Sequence, residues 1–172
     1  VDLVSFDVEQ FTASLATELG VDLVDLDTVF AQSDVISVNC PLTPDTHHLV
    51  NTSRLSQMKP TAYLINTARG PIVDQVALTQ ALRNGSIAGA GLDVFEVEPP
   101  AADDPILTLD NVILTPHALC WTDQCFGGIG AADIASILDV SLGQLPVGLL
   151  NQEVSKRTKF SKKLADFSAQ ST

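Results

Sequence analysis

Three short apolar runs between residues 62 and 117 each lead into a side chain that can do chemistry. The runs and the groups that follow them are Leu64–Ile65 with Arg69, Leu92 with Glu98, and Val112–Leu114 with His117. Apolar runs of this length are typical of buried strands, and ligands bind beyond the carboxyl ends of the strands in open parallel sheets. We therefore expect a guanidinium, a carboxylate and an imidazole to share one site.

Strand-like and helix-like segments alternate along the chain. The predicted strands are Val1–Phe6, Val21–Val24, Val35–Asn39, Ala62–Asn66, Gly89–Phe95 and Asn111–Thr115. The predicted helices are Phe11–Leu19, Asp27–Gln32, a short helix over 52–58, Asp74–Asn84, and Thr122–Gly143, whose small and apolar residues suit burial. The connection lengths permit parallel pairing with right-handed crossovers. We predict a doubly wound α/β fold with a parallel sheet.

The formal net charge of −12, with a pI near 4.3, bears on the choice of partner. Nucleic acid and an anionic membrane surface would both repel such a chain, so we expect neither as a partner. The sequence has no run of about 18 apolar residues and no secretory leader pattern, which favours a cytoplasmic location.

Metal-ligand spacing is not evident in the sequence. Its cysteines, Cys40, Cys120 and Cys125, lack CxxC spacing and a histidine at zinc-ligand distance, which favours reduced thiols. The adjacent His47 and His48 are interpreted as surface loop residues rather than ligands, because neighbours in sequence seldom face the same way. We expect no metal.

Two segments ahead of the trio could border a ligand. Asp7 follows the first predicted strand, where an acid can accept hydrogen bonds from a ribose diol, although a loop or helix-capping aspartate is the favoured interpretation on position alone. The segment Cys40–Pro44 contains two prolines, which prevent it from continuing as strand or helix. We expect a lip of fixed shape beside a cofactor.

The trio suits the reduction of a 2-oxo acid. A carboxylate such as Glu98 favours the protonated form of a neighbouring imidazole and orients its ring, so His117 could supply a proton. Arg69 could grip a substrate carboxylate bidentately and stabilise a developing oxyanion, while the hydride must come from a cofactor. Taken singly, each residue is better explained as a turn, loop or surface residue. Their order at three strand ends favours the catalytic interpretation.

Three motifs carry a resemblance to a known family. Asn66–Asp74 (NTARGPIVD), Gly91–Pro100 (GLDVFEVEPP) and Thr115–His117 (TPH) closely resemble the NAD-dependent D-isomer-specific 2-hydroxyacid dehydrogenases, and Cys40–Thr43 adds support. The resemblance runs from about Val1 to Asn151. It implies a Rossmann-like cofactor domain and oxidation of a D-2-hydroxy acid with NAD.

The resemblance also implies roles for individual residues. Arg69, Glu98 and His117 would be catalytic, and Arg69 and His117 would also border the cofactor. The remaining cofactor contacts would come from Asp7 at the adenosine ribose, Cys40 and Thr46 at its flanks, Thr67 and Ala68 at the nicotinamide end, and Asp93 at the carboxamide. An acid at Asp7 with no arginine directly after it favours NAD over NADP. The substrate would be a small 2-hydroxy or 2-oxo acid.

One family feature, the glycine-rich phosphate loop G-x-G-x-x-G, has no counterpart in the sequence. Gly128–Gly130 and Gly89–Gly91 fail because neither lies where a strand feeds a helix N-terminus. Aligned on the family, Val1 falls at the second strand, so we expect an incomplete sheet lacking the central first strand and its loop. The isolated chain is then expected to bind NADH weakly or not at all.

The chain is expected to divide into a partial NAD-binding domain, residues 1–151, and a basic tail, residues 152–172. The tail carries five basic and two acidic residues, a net +3, which leaves −15 for the rest of the chain. We interpret it as a solvated terminal helix or a flexible end. Family members usually dimerise, so the full-length parent is expected to be a homodimer.

Two functions remain open at this point. The favoured one is a dehydrogenase represented by most of its cofactor domain. The alternative is a non-enzymatic NAD(H)-sensing protein, because the C-terminal-binding-protein corepressors share this fold and trio, and Cys40–Asn51 resembles their loop as well. The complete trio, with no segment that resembles a partner-binding motif, favours the enzyme.

Overall fold

A computed structural model describes residues 3–5 and 13–170 of the chain. Its six strands are β1 (Leu3–Ser5), β2 (Val21–Leu23), β3 (Val35–Val38), β4 (Tyr63–Asn66), β5 (Gly89–Leu92) and β6 (Val112–Leu114). Its six α-helices are α1 (Ala13–Leu19), α2 (Leu26–Gln32), α3 (Thr52–Leu55), α4 (Gln75–Arg83), α5 (Asp123–Ser141) and α6 (Thr158–Gln170). Short 3₁₀ helices cover Gly70–Ile72, Pro105–Thr108 and Gln152–Lys156.

Side-chain caps explain where several helices begin. Asp74 precedes α4 and accepts a hydrogen bond from the backbone N–H of Ala77 at 2.9 Å, which satisfies one of the free donors of the first turn. Asp25 caps α2 in the same way through Thr28. Gly85, just past the end of α4, has a φ of 66°, which glycine adopts without strain. These ends agree with the sequence pattern.

The strands pair in parallel, which confirms the predicted α/β class. β3, β4, β5 and β6 form a four-stranded sheet in that order, with Ile36 opposite Leu64 and Leu64 opposite Ala90. β1 pairs only with β2, in a separate two-stranded sheet. A central strand that joined the two sheets is not found among the described residues, in agreement with the predicted incomplete sheet.

The core of this part of the chain packs against one face of the four-stranded sheet. Ala62, Leu64, Ile72, Ile87 and Ile106 have no exposed side-chain surface. Leu64 comes from β4, Ala62 directly precedes it, and Ile72, Ile87 and Ile106 come from the segments after β4, α4 and β5. This core covers one face of the sheet, whereas Val35, Tyr63 and Ile113 on the other face are at least half exposed. Burial of large aliphatic side chains stabilises such a core by about 1.5–3 kcal/mol each relative to exposure. The sheet therefore gives the loops at its carboxyl edge a firm base.

β5 is shorter than the sequence pattern predicts. It ends at Leu92 rather than Phe95, because its neighbour β6 ends at Leu114, which pairs with Leu92. Similarly, α3 ends at Leu55 rather than at Met58. The residues released from β5 form the segment that carries two of the candidate site residues.

The chain divides into two compact units, residues 1–119 and 120–172. The second unit contains α5, the 3₁₀ helix Gln152–Lys156 and α6, and α6 passes so close to Gly143 that a Cβ there would meet Ser168. The predicted boundary after residue 151 is not tested by this division and stays a prediction. Within the predicted tail, residues 158–170 form the helix α6, and a terminal helix was one of the two expected states.

The prediction that the α5 region forms a buried helix is wrong. None of its residues is buried, and large side chains such as Phe126 and Ile137 are more than half exposed. The apolar residues of α5 are spread around the helix instead of forming one stripe, so contact with the neighbouring α6 covers few of them. Within the described residues, no helix combines the length and the apolar character needed to cross a membrane.

Candidate active site

A cleft of about 450 Å³ opens at the carboxyl ends of β3 and β4. Its lining consists of Asn39, Cys40, Pro41, Leu42, Ala68 and Arg69. The loop that contains Pro41 therefore faces the loop that contains Arg69. That this lip lies beside a cofactor stays a prediction. A volume in this range is typical of small-molecule sites, which combine apolar walls with a few polar groups.

The lip is held in shape by Thr46, which is only 7% exposed. Its hydroxyl donates to the carbonyl of Pro41 at 2.7 Å and accepts from the backbone N–H of Thr43 at 2.7 Å. Because the hydroxyl hydrogen is taken by Pro41, Thr46 braces the loop from inside. Cys40, beside this turn, is partly buried, and burial raises the pKa of its thiol. A raised pKa keeps this cysteine in the thiol form near neutral pH and disfavours a nucleophilic role.

Asn66 fixes the turn that presents Arg69. Its amide group donates to the carbonyl of Arg69 at 3.0 Å, and its side-chain oxygen accepts from the backbone N–H of Ala68 at 3.1 Å. The side chain of Asn66 is 1% exposed, so both bonds lie out of water. The Arg69 guanidinium itself is exposed and donates through Nη1 to the carbonyl of Ala68. Arg69 thus faces solvent from a turn that cannot easily shift.

Gly70 allows this turn to approach the segment after β5. A Cβ at Gly70 would overlap the carbonyl group of Phe95, so no other residue fits without moving backbone. The Arg69 turn and the segment that carries Glu98 are therefore in direct backbone contact.

Asp93 anchors the turn that carries His117. Its Oδ1 accepts from the hydroxyl of Thr115 at 2.5 Å and from the backbone N–H of Ala118 at 3.0 Å, while Oδ2 accepts from Leu119 at 3.2 Å. Burial alone would raise the pKa of this carboxyl, but the three donors outweigh it and hold the pKa below the usual range. His117 has a φ of 55°, a left-handed conformation that costs energy for a residue other than glycine. The bonds to Asp93 keep the turn in this conformation.

His117 and Glu98 form the central pair of the site. Nδ1 of His117 lies 2.7 Å from Oε2 of Glu98, and Oε1 of Glu98 accepts from the backbone N–H of Phe95 at 2.9 Å. These two bonds, that from His117 first, lower the pKa of Glu98, and the charges of His117 and Arg69 lower it further. The carboxylate is therefore ionised at neutral pH. Of the trio, Arg69 therefore acts on Glu98 through its charge.

The structure thus brings together the three strand-end groups that the sequence singled out. Of the predicted cofactor contacts, Cys40 and Ala68 line the cleft, Arg69 is shared with the trio, and Thr67 is exposed beside it. Asp93 lies beneath the His117 turn. The predicted ribose contact, Asp7, lies outside the described residues.

Sequence reasoning missed three supporting residues, namely Asn66, Gly70 and Thr115. All three lie within the family motifs Asn66–Asp74 and Thr115–His117. The polar side-chain atoms of Asn66 and Thr115 form hydrogen bonds with other residues of the site. The sequence signal that could have identified Asn66 and Thr115 is a polar residue at the end of a buried strand, because Asn66 ends β4 and Thr115 directly follows β6.

One expectation about the lip is wrong. The imidazole rings of His47 and His48 stack, with centroids 4.0 Å apart and planes inclined by 27°, so these neighbours do face the same way. Both histidines lie in the turn at residues 44–48, and His48 has a φ of 50°, so the alternation of side chains in an extended strand does not apply to them.

Comparison with known proteins agrees with this geometry. Residues 2–118 match the family described as D-isomer specific 2-hydroxyacid dehydrogenase, NAD binding domain. Among curated relatives, glyoxylate reductase of Thermofilum pendens is 42% identical over 156 residues, and glyoxylate reductase of Korarchaeum cryptofilum is 45% identical over 139 residues. These alignments cover 91% and 81% of this chain but 46% and 42% of the relatives.

Solved structures give the same answer. The NAD-complexed D-isomer specific 2-hydroxyacid dehydrogenase from Lactobacillus delbrueckii ssp. bulgaricus superposes with a TM-score of 0.79 at 31% identity, covering 87% of this chain and 49% of that one. The chain therefore spans about half the length of the relatives it matches.

Proposed function

Because the chain belongs to the D-isomer specific 2-hydroxyacid dehydrogenase family and carries its NAD-binding domain, we propose that it supplies the catalytic groups of an NAD-dependent D-2-hydroxyacid oxidoreductase. The observation that carries the proposal is the 2.7 Å contact between His117 and Glu98 with the Arg69 charge beside it. An imidazole held by a carboxylate and accompanied by a guanidinium suits carbonyl reduction better than binding alone.

The proposed proton donor is Nε2 of His117. Nδ1 faces Glu98, so the other ring nitrogen is left for the substrate oxygen, and the carboxylate stabilises the imidazolium form before transfer. In the reducing direction, His117 gives its proton to the carbonyl oxygen of the 2-oxo acid. In the oxidising direction it takes the proton back from the hydroxyl group.

Arg69 is proposed to bind and polarise the substrate. Its planar guanidinium can donate hydrogen bonds to both oxygens of a small carboxylate, and its charge stabilises the oxygen that becomes negative as the carbonyl is reduced. Its position in the cleft lining, on a turn held by Asn66, supports this role. The names of the relatives favour glyoxylate or another small 2-oxo acid as substrate.

NAD suits the cleft, whose walls combine apolar side chains with amide and guanidinium groups. When bound, NADH supplies the hydride that the protein's own side chains cannot provide. We propose that Cys40, Thr46, Thr67 and Ala68 border the cofactor, that Asp7 holds the adenosine ribose, and that Arg69 and His117 lie at the nicotinamide end. Asp93 would contact the carboxamide while holding the His117 turn.

The test is turnover by the protein as its gene encodes it. NADH oxidation at 340 nm with glyoxylate, hydroxypyruvate and pyruvate should show reduction of at least one substrate, and His117→Asn should abolish it. Asp103→Asn, which removes an exposed acid outside the site, should retain it. Tight NADH binding without turnover would contradict the enzyme and favour the NAD(H)-sensing alternative.

Three further features of the whole protein are proposals of the same kind. We propose a homodimer and a cytoplasmic location, both supported by the family resemblance, and we propose that residues 1–151 act as one cofactor-domain portion with 152–172 as a tail. Fluorescence titration of the 172-residue chain with NADH measures how much of the cofactor affinity these residues provide. Binding at micromolar affinity would show that they are sufficient to bind NADH.

A further inference from the structure

A second cluster of chemistry-bearing side chains is formed by two histidines of the loop between β3 and β4 and a glutamate of the segment after β5. His47, His48 and Glu96 each place a ligand atom so that the three atoms lie within 4.8 Å of one another. His48 Nε2 is 2.7 Å from Glu96 Oε1, and the His47 ring stacks on His48. None of these residues has a part in the dehydrogenase mechanism proposed above.

The cluster is built on a braced framework. The backbone N–H of His48 donates to the carbonyl of Pro71 at 2.9 Å, which fixes a residue whose φ of 50° would otherwise be unfavourable. Glu96 is held from the other side, because its Oε2 accepts from the backbone N–H of Gln75 at 3.3 Å and its own N–H donates to the Gln75 side chain at 3.0 Å. Two of the three donors are therefore positioned before any ligand arrives.

We propose that His47, His48 and Glu96 bind one divalent transition-metal ion, with Zn²⁺ as the representative case. Two imidazoles and one carboxylate are the donor set that such ions prefer, and hard cations such as Mg²⁺ would instead require more oxygen ligands. Three protein ligands leave a fourth position of a tetrahedral site for water or an exogenous ligand.

The geometry requires only a modest adjustment. Zn–N and Zn–O bonds are about 2.1 Å, so ligand atoms on a tetrahedral ion lie roughly 3.4 Å apart. The 2.7 Å separation of His48 Nε2 and Glu96 Oε1 must widen, and separations of up to 4.8 Å must close, so side-chain shifts of about an ångström are needed. Exposed His47 can supply most of this movement, because within the described residues no hydrogen bond holds its ring.

The metal ion would replace the hydrogen that now bridges His48 and Glu96. Glu96 contacts His48 directly, and its second oxygen is anchored by Gln75, an arrangement that orients a metal-ligating carboxylate. Binding requires neutral imidazoles, so protons compete with the metal. We therefore expect the affinity for Zn²⁺ to fall when the pH is lowered from about 7.5 to about 5.5.

Equilibrium dialysis of the chain against Zn²⁺ alone tests the proposal, in a Cys40→Ser, Cys120→Ser, Cys125→Ser background that removes thiol ligands. One ion should bind per chain. His47→Asn, His48→Asn and Glu96→Gln should each weaken binding by about tenfold or more. Asparagine is used at position 48 because it tolerates a positive φ, and circular dichroism verifies that each variant is folded.

His117→Asn is the matched control. His117 also has a positive φ and a glutamate oxygen at 2.7 Å from its ring, but it lacks a second imidazole. It should bind Zn²⁺ as the background does. The proposal is overturned if the background protein binds no ion at about 0.1 mM free Zn²⁺, if the three cluster variants bind as the background does, or if His117→Asn loses as much affinity as they do.

Discussion

Nδ1 of His117 lies 2.7 Å from Oε2 of Glu98, and the other oxygen of the same carboxylate is fixed by the backbone N–H of Phe95. The carboxylate therefore cannot follow the ring if the ring rotates. Both side chains remain partly exposed, at 45% and 36%, so a substrate can reach the pair. A rigid acid–base pair that solvent and substrate can reach is the arrangement that proton transfer requires.

Glu98→Gln should lower kcat in the proposed reaction by about 100-fold or more, because a neutral amide can neither stabilise the imidazolium nor define the ring orientation as a carboxylate does. The measurement is steady-state NADH oxidation by the protein as its gene encodes it. Urea unfolding should verify that folding is intact. Unchanged kcat in a folded variant would rule out the assigned role of Glu98.

Asp93→Asn should destabilise the protein by about 1–3 kcal/mol at neutral pH, measured by urea unfolding. An asparagine that keeps its oxygen toward Thr115 and Ala118 presents its amide group to the N–H of Leu119, so donor meets donor. Exposed Asp103→Asn is the control and should change stability by less than about 0.5 kcal/mol.

The Asp93 variant should also change the response of stability to acid. The pKa of Asp93 is lowered in the folded state, so its contribution is fully present above the ordinary aspartate pKa of about 3.9 and is lost as the pH falls through the lower folded value. The difference in unfolding free energy between wild type and Asp93→Asn should therefore shrink below about pH 4. A difference that stays constant down to pH 2 would contradict this account.

Gly70→Ala should destabilise the protein by about 1–3 kcal/mol or more, because the new methyl group would overlap the carbonyl of Phe95 and force two backbone segments apart. Gly91→Ala is the matched control in the same unit. Its methyl group would approach only the end of the Ile65 side chain, at 3.1 Å, which can move. Equal losses of unfolding free energy in the two variants would mean that close approach at Gly70 is not the cause.

The parts of the site that local sequence could predict are those set by short-range rules. Apolar runs located the strands after which Arg69, Glu98 and His117 appear, and parallel pairing then placed the three groups at one edge of a sheet. Asp74, which caps α4, and Gly85, beyond its end, could be predicted for the same reason, because both act on residues close to them in sequence.

The parts that could not be predicted depend on contacts between distant segments. Thr115 contacts Asp93, which is 22 residues away in sequence, and Gly70 contacts Phe95, which is 25 residues away in sequence. The joint orientation of His47 and His48 depends on a left-handed residue, which sequence alternation cannot foresee.

Hydrogen exchange should distinguish a strand that has two neighbouring strands from a strand that has one. β4 is paired on both sides, by β3 and β5, whereas β3 pairs only with β4 among the described residues. Alternate N–H groups of a parallel strand point to opposite sides, so about half of those in Val35–Val38 lack a strand partner. Those amides should exchange at least about tenfold faster than the amides of Tyr63–Asn66.

The comparison is internal to one sheet, so global unfolding affects both strands equally and cancels. Ile36 and Val38 are buried although their strand lies at the edge, and slow exchange there could arise from burial alone. The exposed positions Val35 and Ser37 provide the needed contrast. If every amide of β3 were as well protected as those of β4, the free edge would have to be covered by another part of the protein.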